Sequence, residues 1–502
     1  MISNSSLHRI SLKREPRLDT KLTAFAYQIE AFRAIRGLEY GAIFHEQGLG
    51  KTKIALDLAL YWLETKVVDT VLFIVKKSLI NNWLREFAIH TYIKPKVLTE
   101  NRSSNFYVLN TPSRVLLTHY EVIKSEQKRI RLFLKSRNVG VILDESTKIK
   151  NPASELTKIF HELSGLFKKR IIMTGTPVAN RPYDIWSQIW FIDHGKSLGD
   201  NFSNFKSSLG LSNELAFKQD ARIDFETQLE SLFKKISSFT VRENKNNDFI
   251  SLPDKITRNL TVQWELHQHE LYKQIQNNLR AIVVRNGIPT EDNSEDILKR
   301  MLRLVQIASN PKLVDDSYIA VPGKLPVLFD LVEGITNCGE KTIVWTSFIE
   351  NADWLAHELK SFGVCKVHGK LSIEERNRQI DKFLSDADRR VFIATPGSAK
   401  EGLTLTVANH AIFYDRSFSL DDYLQAQDRI HRISQKKTCY VTNLIMEDSI
   451  DEWIDVLLYS KQLAAQLAQG DISLDYFKSQ ISYDFGRMIK EILKIKNRKK
   501  RD

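Results

Sequence analysis

The feature that most constrains this chain is a repeated unit: a short β-branched or apolar run ends in a polar cluster, and a helical stretch follows. Tyr40 to Phe44 leads into a Gly-rich loop, Thr70 to Val75 into Lys76-Lys77-Ser78, and Val115 to Leu117 into Thr118-His119-Tyr120. Val139 to Leu143 leads into Asp144-Glu145, and Arg170 to Met173 into Thr174-Gly175-Thr176-Pro177. Runs that are apolar without alternation are covered on both faces, and runs alternating with helices build a parallel sheet between helical layers. Such sheets bind ligands at the carboxyl ends of their strands, where these polar clusters fall. The pattern pauses near residue 193 and resumes at Lys341, with Thr342 to Trp345, Val391 to Ala394, Ala411 to Tyr414 and Tyr440 to Leu444 as strands. Between them, polar loops (Lys196 to Ser208, Glu243 to Asp248, Asn286 to Glu295) separate helical stretches such as Phe225 to Ile236 and Leu266 to Val284. The expected class is α/β: two parallel-sheet cores, helical insertions between them, and a C-terminal helical region with a basic tail over Lys490 to Arg501. Trp345, Phe348 and Trp354 are spaced for packing a strand and its following helix.

With 502 residues the chain can bury large cores without disulfide or metal support. Its 42% hydrophobic and 27% charged content excludes a disordered polymer. Cys338, Cys365 and Cys439 lie far apart with no CxxC pair, which argues against a zinc module and fits a reducing compartment. No run reaches the ~18 apolar residues of a membrane span. Met1 to Ser6 shows no apolar signal region. A cytoplasmic setting without a membrane partner is expected. Lys and Arg number 73 against 61 Asp and Glu, a net charge of +12, which suits a polyanion partner but also many ordinary basic proteins.

Two segments point to nucleotide chemistry. In His45-Glu46-Gln47-Gly48-Leu49-Gly50-Lys51-Thr52, between a strand and a helix, Gly48 and Gly50 let backbone N–H groups approach phosphate oxygens. The helix N-terminus that follows favours negative charge. Lys51 can reach the β- and γ-phosphates, and the Thr52 hydroxyl can ligate Mg²⁺. His45 stands where the strict phosphate-loop pattern has Gly, so an ordinary Gly-rich turn is the alternative. Asp144-Glu145 ends an apolar run; there Asp144 can hold Mg²⁺ while Glu145 orients or deprotonates the attacking water. The alternative is a helix N-cap with a first-turn carboxylate. A third segment, Gln425-Ala426-Gln427-Asp428-Arg429-Ile430-His431-Arg432, spaces Arg429 and Arg432 at i,i+3, so both are expected on one face of a helix, suited to a γ-phosphate; the alternative is a surface helix bridged to acids.

These residues resemble the Swi/Snf-type ATPases, the DNA-translocating branch of helicase superfamily two. Tyr27-Gln28 resembles the adenine-recognising glutamine motif, and His45 to Thr52 resembles DEMGLGKT. Ser78-Leu79 with Asn82-Trp83 and Glu86-Phe87 resembles SLxxNWxxEF, and Thr118 to Glu121 resembles TxYE. Asp144 to Asn151 resembles DEAHxIKN, and Thr174 to Pro177 with Asn180 and Trp186-Ser187 resembles LTGTPxxNxxxELWS. Leu252 to Lys255 resembles LPxK, Gly323-Lys324-Leu325 resembles GKL, and Gln425 to Gln435 resembles QAxDRxHRxGQ. In departures from the pattern, His45 replaces Asp, Lys76 replaces Pro, Ser146-Thr147 replaces Ala-His, Phe418-Ser419 replaces Trp-Asn, and Ser434 replaces Gly. The match runs from about Leu22 to Ile454 and looks like compact bacterial or phage members.

The resemblance implies an N-terminal extension (1–21), a RecA-like ATP-binding lobe (22–192), helical insertions (193–320), a second RecA-like lobe (321–460) and C-terminal helices with a basic tail (461–502). It implies ATP and Mg²⁺ as cofactors. Gln28, Gly48, Leu49, Gly50, Lys51 and Thr52 would hold nucleotide, and Thr52 and Asp144 the metal. Lys51, Asp144, Glu145, Arg429 and Arg432 would carry hydrolysis. Ser78, Thr118, Lys148 and Thr176 in the first lobe, and Ser347 and Gly402 in the second, would lie near double-stranded DNA. For Thr118 and Thr176 a local hydrogen bond is the competing role. The implied function is a DNA-dependent ATPase that translocates on duplex DNA in a bacterial or phage-infected cell. The alternatives are a strand-separating DNA or RNA helicase, and an ATP-gated DNA clamp that recruits a nuclease or methyltransferase.

Overall fold

Strands with apolar residues on both faces need cover on both, and this chain supplies it twice. The structure, a computed structural model, describes residues 11–178, 180–209, 215, 218–245, 252–278, 280–285, 288–293, 297–398, 404–432 and 434–483. The chain divides into two units: residues up to 210 with 224–250 and 465–474, and residues 211–223 with 251–464 and 475–502.

The first unit contains β1 (Tyr40–Ile43), β2 (Thr70–Val75), β3 (Lys96–Val97), β4 (Val115–His119), β5 (Val139–Asp144), β6 (Lys169–Met173) and β7 (Thr240–Val241). They form one sheet in the order β3-β4-β2-β5-β6-β1-β7, and every pair is parallel. β2, β4, β5 and β6 are buried at every residue, as continuous apolar runs require. On one face Phe73 packs against Trp83 and Phe87, with ring centroids 5.2 Å and 5.1 Å away. Gly140 in β5 is needed for room: a Cβ there would meet the Trp62 ring at 3.0 Å.

The second unit contains β8 (Lys255–Val262), the antiparallel pair β9 (Arg280–Arg285) and β10 (Ile288–Asn293), then β11 (Thr342–Trp345), β12 (Val364–Val367), β13 (Val391–Ala394), β14 (His410–Phe413) and β15 (Cys439–Met446). Its main sheet runs β12-β13-β11-β14-β15-β8, again all parallel. The period-2 alternation of strand side chains sorts its core into two clusters. Val344, Ile393 and Ile412 join one, while Ile343, Trp345, Phe392 and Phe413 join the other. Phe348 and Trp354 pack against the first, as their spacing predicts.

The stretch 193–320 differs from the helical insertion expected. It holds the helices Phe202–Ser208, Gln219–Ile236, Leu266–Asn278 and Ile297–Ser309, but also four strands. β7 closes the first sheet beside β1, and β8 closes the second beside β15. β8 escapes a hydrophobicity reading because it is an edge strand of mostly polar, exposed residues such as Lys255, Thr257, Arg258 and Asn259. The helix expected through Val284 ends at Asn278, and the polar loop expected from Asn286 pairs as β10 against the β-branched run of β9. Lys490 to Arg501 lies outside the described residues. Among the described residues no helix is long and apolar enough to cross a membrane.

Candidate active site

In the first sheet β6 lies between β5 and β1, so three loops leave the carboxyl ends of adjacent strands. They carry the Gly-rich loop after β1, Asp144-Glu145 at the end of β5, and Thr174-Gly175-Thr176 after β6. A parallel sheet thereby gathers segments more than a hundred residues apart.

The loop turns through left-handed backbone at Gly48 (φ +88°) and Gly50 (φ +67°), and Gly50 caps the helix Lys51–Glu64. A Cβ on Gly50 would collide with the Gln28 amide. Leu49 is fully buried, and its carbonyl accepts from the Tyr27 hydroxyl (3.1 Å) and Gln28 Nε2 (3.3 Å). Gln28 Oε1 accepts from the Phe25 N–H at 3.0 Å. Gln28 is therefore engaged in bracing the loop here. Lys51 Nζ donates to the carbonyls of His45 (2.9 Å) and Glu46 (3.1 Å). Thr52, half-buried, follows it in the first turn of the helix.

The acidic pair is held from several sides. Asp144 Oδ2 accepts from Trp83 Nε1 at 2.8 Å, and the Asp144 carbonyl accepts from the Tyr120 hydroxyl at 2.7 Å. Burial, and next the neighbouring Glu145 charge, raise the Asp144 pKa above the usual carboxylate range; the Trp83 hydrogen bond and the Lys51 charge oppose this. A buried carboxylate in that state favours a cation beside it. Glu145 has left-handed backbone (φ +53°, ψ +57°), which is unfavourable for a residue with a Cβ and is typical of strain kept at functional sites. Its carboxylate accepts from Gln47 Nε2 (3.1 Å) and the Thr174 hydroxyl (3.3 Å). Gln47 also abuts Gly175, where a Cβ would lie 2.8 Å from Gln47 Cγ. One glutamine thus touches all three loops. Ser146, in place of the resemblance's Ala, donates to Gln188 Oε1 at 2.7 Å, and Gln188 Nε2 donates to the Pro177 carbonyl at 3.0 Å. Of these supports Gln47, Trp83, Tyr120, Ser146 and Thr174 lay inside recognised motifs without an assigned role, and Gln188 lay outside them.

The remaining expected residues divide. Ser78 is exposed just after β2, and Lys148 is exposed with Nζ 3.9 Å from Glu121. Thr118 is fully buried and donates its hydroxyl to the Leu98 carbonyl at 3.2 Å, a bond between neighbouring strand segments. Thr176 is 6% exposed, and its N–H donates to the Thr174 hydroxyl at 3.2 Å. Ser347 is half-buried, and its N–H donates to Asp415 Oδ1 at 2.6 Å. Gly402 lies outside the described residues.

Arg429 and Arg432 belong to the second unit, but they do not share a helix face. The helix Leu420–Gln427 ends before them, in turns held by side-chain donors. Arg432 Nε donates to the Asp428 carbonyl (2.8 Å), and Gln435 Nε2 donates to the carbonyls of Ile430 (3.0 Å) and Ala408 (2.9 Å). The bonds to Asp428 and Ile430 satisfy carbonyls that helical continuation would have used. Arg429 is 3% exposed, whereas Arg432 is half-buried and also donates to the Thr404 hydroxyl at 2.8 Å.

Comparison with known proteins gives the family. Residues 27–313 match the family described as SNF2-related domain, and residues 323–434 match the helicase conserved C-terminal domain. The chain is 28% identical over 475 residues to an uncharacterized ATP-dependent helicase of Mycoplasma pneumoniae, covering 91% of this chain and 43% of that protein. It is 26% identical over 437 residues to the ISWI chromatin-remodeling complex ATPase ISW1 of Saccharomyces cerevisiae, covering 82% and 37%. With the putative ATP-dependent helicase/translocase YwqA of Bacillus subtilis it shares 28% over 461 residues, covering 87% and 47%. It spans less than half the length of each of these relatives. Among solved structures, the Sulfolobus solfataricus SWI2/SNF2 ATPase core in complex with dsDNA is 26% identical, covers 95% of this chain and 98% of that one, and superposes with a TM-score of 0.43. This chain belongs to the SNF2-related family, within helicase superfamily two.

Proposed function

We propose that this chain is a DNA-dependent ATP hydrolase that couples turnover to translocation on double-stranded DNA. The observation that supports it most is the joining of the Gly-rich loop, Glu145 and Gly175 through Gln47 at three adjacent strand ends. Gly48 and Gly50 open the backbone to phosphate oxygens, and Lys51 Nζ exchanges its two loop carbonyls for the β- and γ-phosphates. Thr52 and Asp144 are the residues that would hold Mg²⁺; the raised Asp144 pKa fits such a ligand. The chemistry supplied by a cation held there would be neutralisation of phosphate charge. Glu145, oriented by Gln47 and Thr174, positions the attacking water and accepts its proton. Arg429 and Arg432, in the second unit, are guanidiniums of the kind that suits the charge spread over a phosphoryl group in transfer. Ser78 and Lys148 meet backbone phosphates, which positions the protein without reading sequence. The relatives' names, ATP-dependent helicase and chromatin-remodeling ATPase, support the same reading. Its place of work would be the bacterial or phage-infected cytoplasm.

The test is the ATPase rate with no nucleic acid, single-stranded DNA, duplex DNA and RNA measured side by side, together with displacement of a triplex third strand. Duplex stimulation with triplex displacement and no unwinding supports translocation. Unwinding of a forked duplex supports strand separation instead. Absence of DNA-stimulated turnover, with Lys51→Ala leaving DNA binding unchanged, would overturn the motor reading.

A further inference from the structure

Beside the phosphate loop lies a buried ion pair that the hydrolytic chemistry does not use. Arg242 follows β7 and donates from Nη1 to the carbonyl of Phe44 at 2.5 Å, immediately before the loop begins. Its other edge is bidentate: Nε to Asp471 Oδ1 at 2.7 Å and Nη2 to Asp471 Oδ2 at 2.5 Å. The two side chains are 9% and 11% exposed. The chain on either side of Arg242 is zipped to the loop, with Phe44 N–H on the Val241 carbonyl (2.9 Å), Glu46 N–H on the Glu243 carbonyl (2.9 Å) and Lys245 N–H on the Glu46 carboxylate (3.0 Å). A guanidinium this buried keeps its place only with a paired carboxylate. That carboxylate comes from residue 471, in the segment 465–474 that packs in the first unit. Its turn is rigid: Gly470 is left-handed (φ +75°) with a Cβ position 2.8 Å from the Phe233 ring, and Asp471 N–H donates to the Gln466 carbonyl at 2.8 Å.

The loop itself lacks an acid at its first residue. His45 stands where the resembled motif has Asp, and it is 2% exposed. Burial, then the charges of Lys51 and Arg242, push its pKa down to about 3, so the ring is neutral at physiological pH.

We propose that Arg242 and Asp471 are positioning residues for nucleotide binding: Asp471 supplies, from the C-terminal segment, the negative charge that His45 does not, and docking of that segment is coupled to the shape of the phosphate loop. This rests on the ATPase reading above. Reciprocity follows, since a segment that favours the nucleotide-ready loop is itself held more tightly when nucleotide is bound.

The test uses the full chain. Asp471→Asn is expected to raise the ATP KM about tenfold with kcat changed less than about twofold, the signature of lost binding rather than lost chemistry. Adding His45→Asp to that variant is expected to return KM to within about threefold of the parent by restoring a carboxylate near Arg242. An unchanged KM in folded Asp471→Asn protein overturns the proposal, and so does a double variant that recovers nothing. Where Asp471→Asn does not fold, hydrogen exchange on the unaltered protein decides. Saturating ATP should slow exchange at 465–474 as well as at 45–52; protection confined to 45–52 overturns the coupling. An unaltered protein with neither ATP turnover nor protection at 45–52 overturns the ATPase reading itself.

Discussion

The Lys324–Asp451 pair in the second unit offers a quantitative check on how this fold is held together. Lys324 opens the helix Lys324–Asn337 and is completely buried, and Asp451 is 5% exposed. Lys324 Nζ donates to Asp451 Oδ2 at 2.6 Å and to the Tyr414 carbonyl at 2.9 Å, while Asp451 Oδ2 also accepts from the Met446 N–H at 3.1 Å. One ammonium thus ties the start of a helix to the ends of β14 and β15. Lys324→Met keeps the bulk and removes the charge, leaving the buried Asp451 carboxyl without its ammonium partner. Stranding one member of a buried pair costs about 3–5 kcal/mol. For a unit of about 250 residues each kcal/mol is worth about 2–4 °C, so the second unit's transition is expected to fall by roughly 6–20 °C. Calorimetry measures the transition, and hydrogen exchange assigns it to this unit. The double variant Lys324→Met/Asp451→Leu separates the two costs: with no stranded charge it is expected to lie at least about 2 kcal/mol above Lys324→Met alone. A Lys324→Met protein within about 1 kcal/mol of the parent would refute the reasoning, because an unpaired carboxylate at this depth must cost more than that.

Glu145→Gln is expected to bind a fluorescent ATP analogue with nearly unchanged affinity while turnover falls by about 10²–10⁴-fold, the range for losing a general base; normal turnover removes Glu145 from its role. Lys148→Ala is expected to weaken duplex binding at every sequence and to reduce the magnitude of the slope of log K against log salt by about 1, read from binding isotherms at several salt concentrations. Glu340 gives a pH test: although burial acts to raise it, hydrogen bonds from His410, Asn409 and Lys437 hold its pKa down at about 2. A depressed carboxylate stabilises the fold above its unfolded pKa of about 4.3 and loses that effect as pH falls toward the folded value. The urea-midpoint gap between the parent and Glu340→Gln should be full above about pH 5 and close as pH approaches 2; a gap that persists there contradicts the assignment.

Much of the fold was legible because its signals are local. β2, β5 and β11 declare themselves as unbroken apolar runs, and Gly48 and Gly50 mark a loop whose backbone only glycine adopts without strain. Where burial is one-sided the signal fades. β8 is long yet exposed along most of its length, and β7 is two residues borrowed by the sheet from a connecting segment. The i,i+3 spacing of Arg429 and Arg432 implied a shared helix face only if the helix continued; it stops at Gln427 because side chains from Arg432 and Gln435 satisfy the following carbonyls. Thr118 matched its motif position but turned its hydroxyl into the sheet.

By itself, then, the sequence determined the α/β class, two sheet-forming regions, the Gly-rich loop, the acidic pair and the family. All of these depend on residues within a few positions of one another along the chain. The tertiary structure alone decided what steadies them. Trp83 reaches Asp144 across 61 positions, Gln47 reaches Glu145 across 98, and Arg242 reaches Asp471 across 229. Such bonds leave no local trace, because a donor and an acceptor far apart in the chain meet only after a parallel sheet has brought their strand ends together.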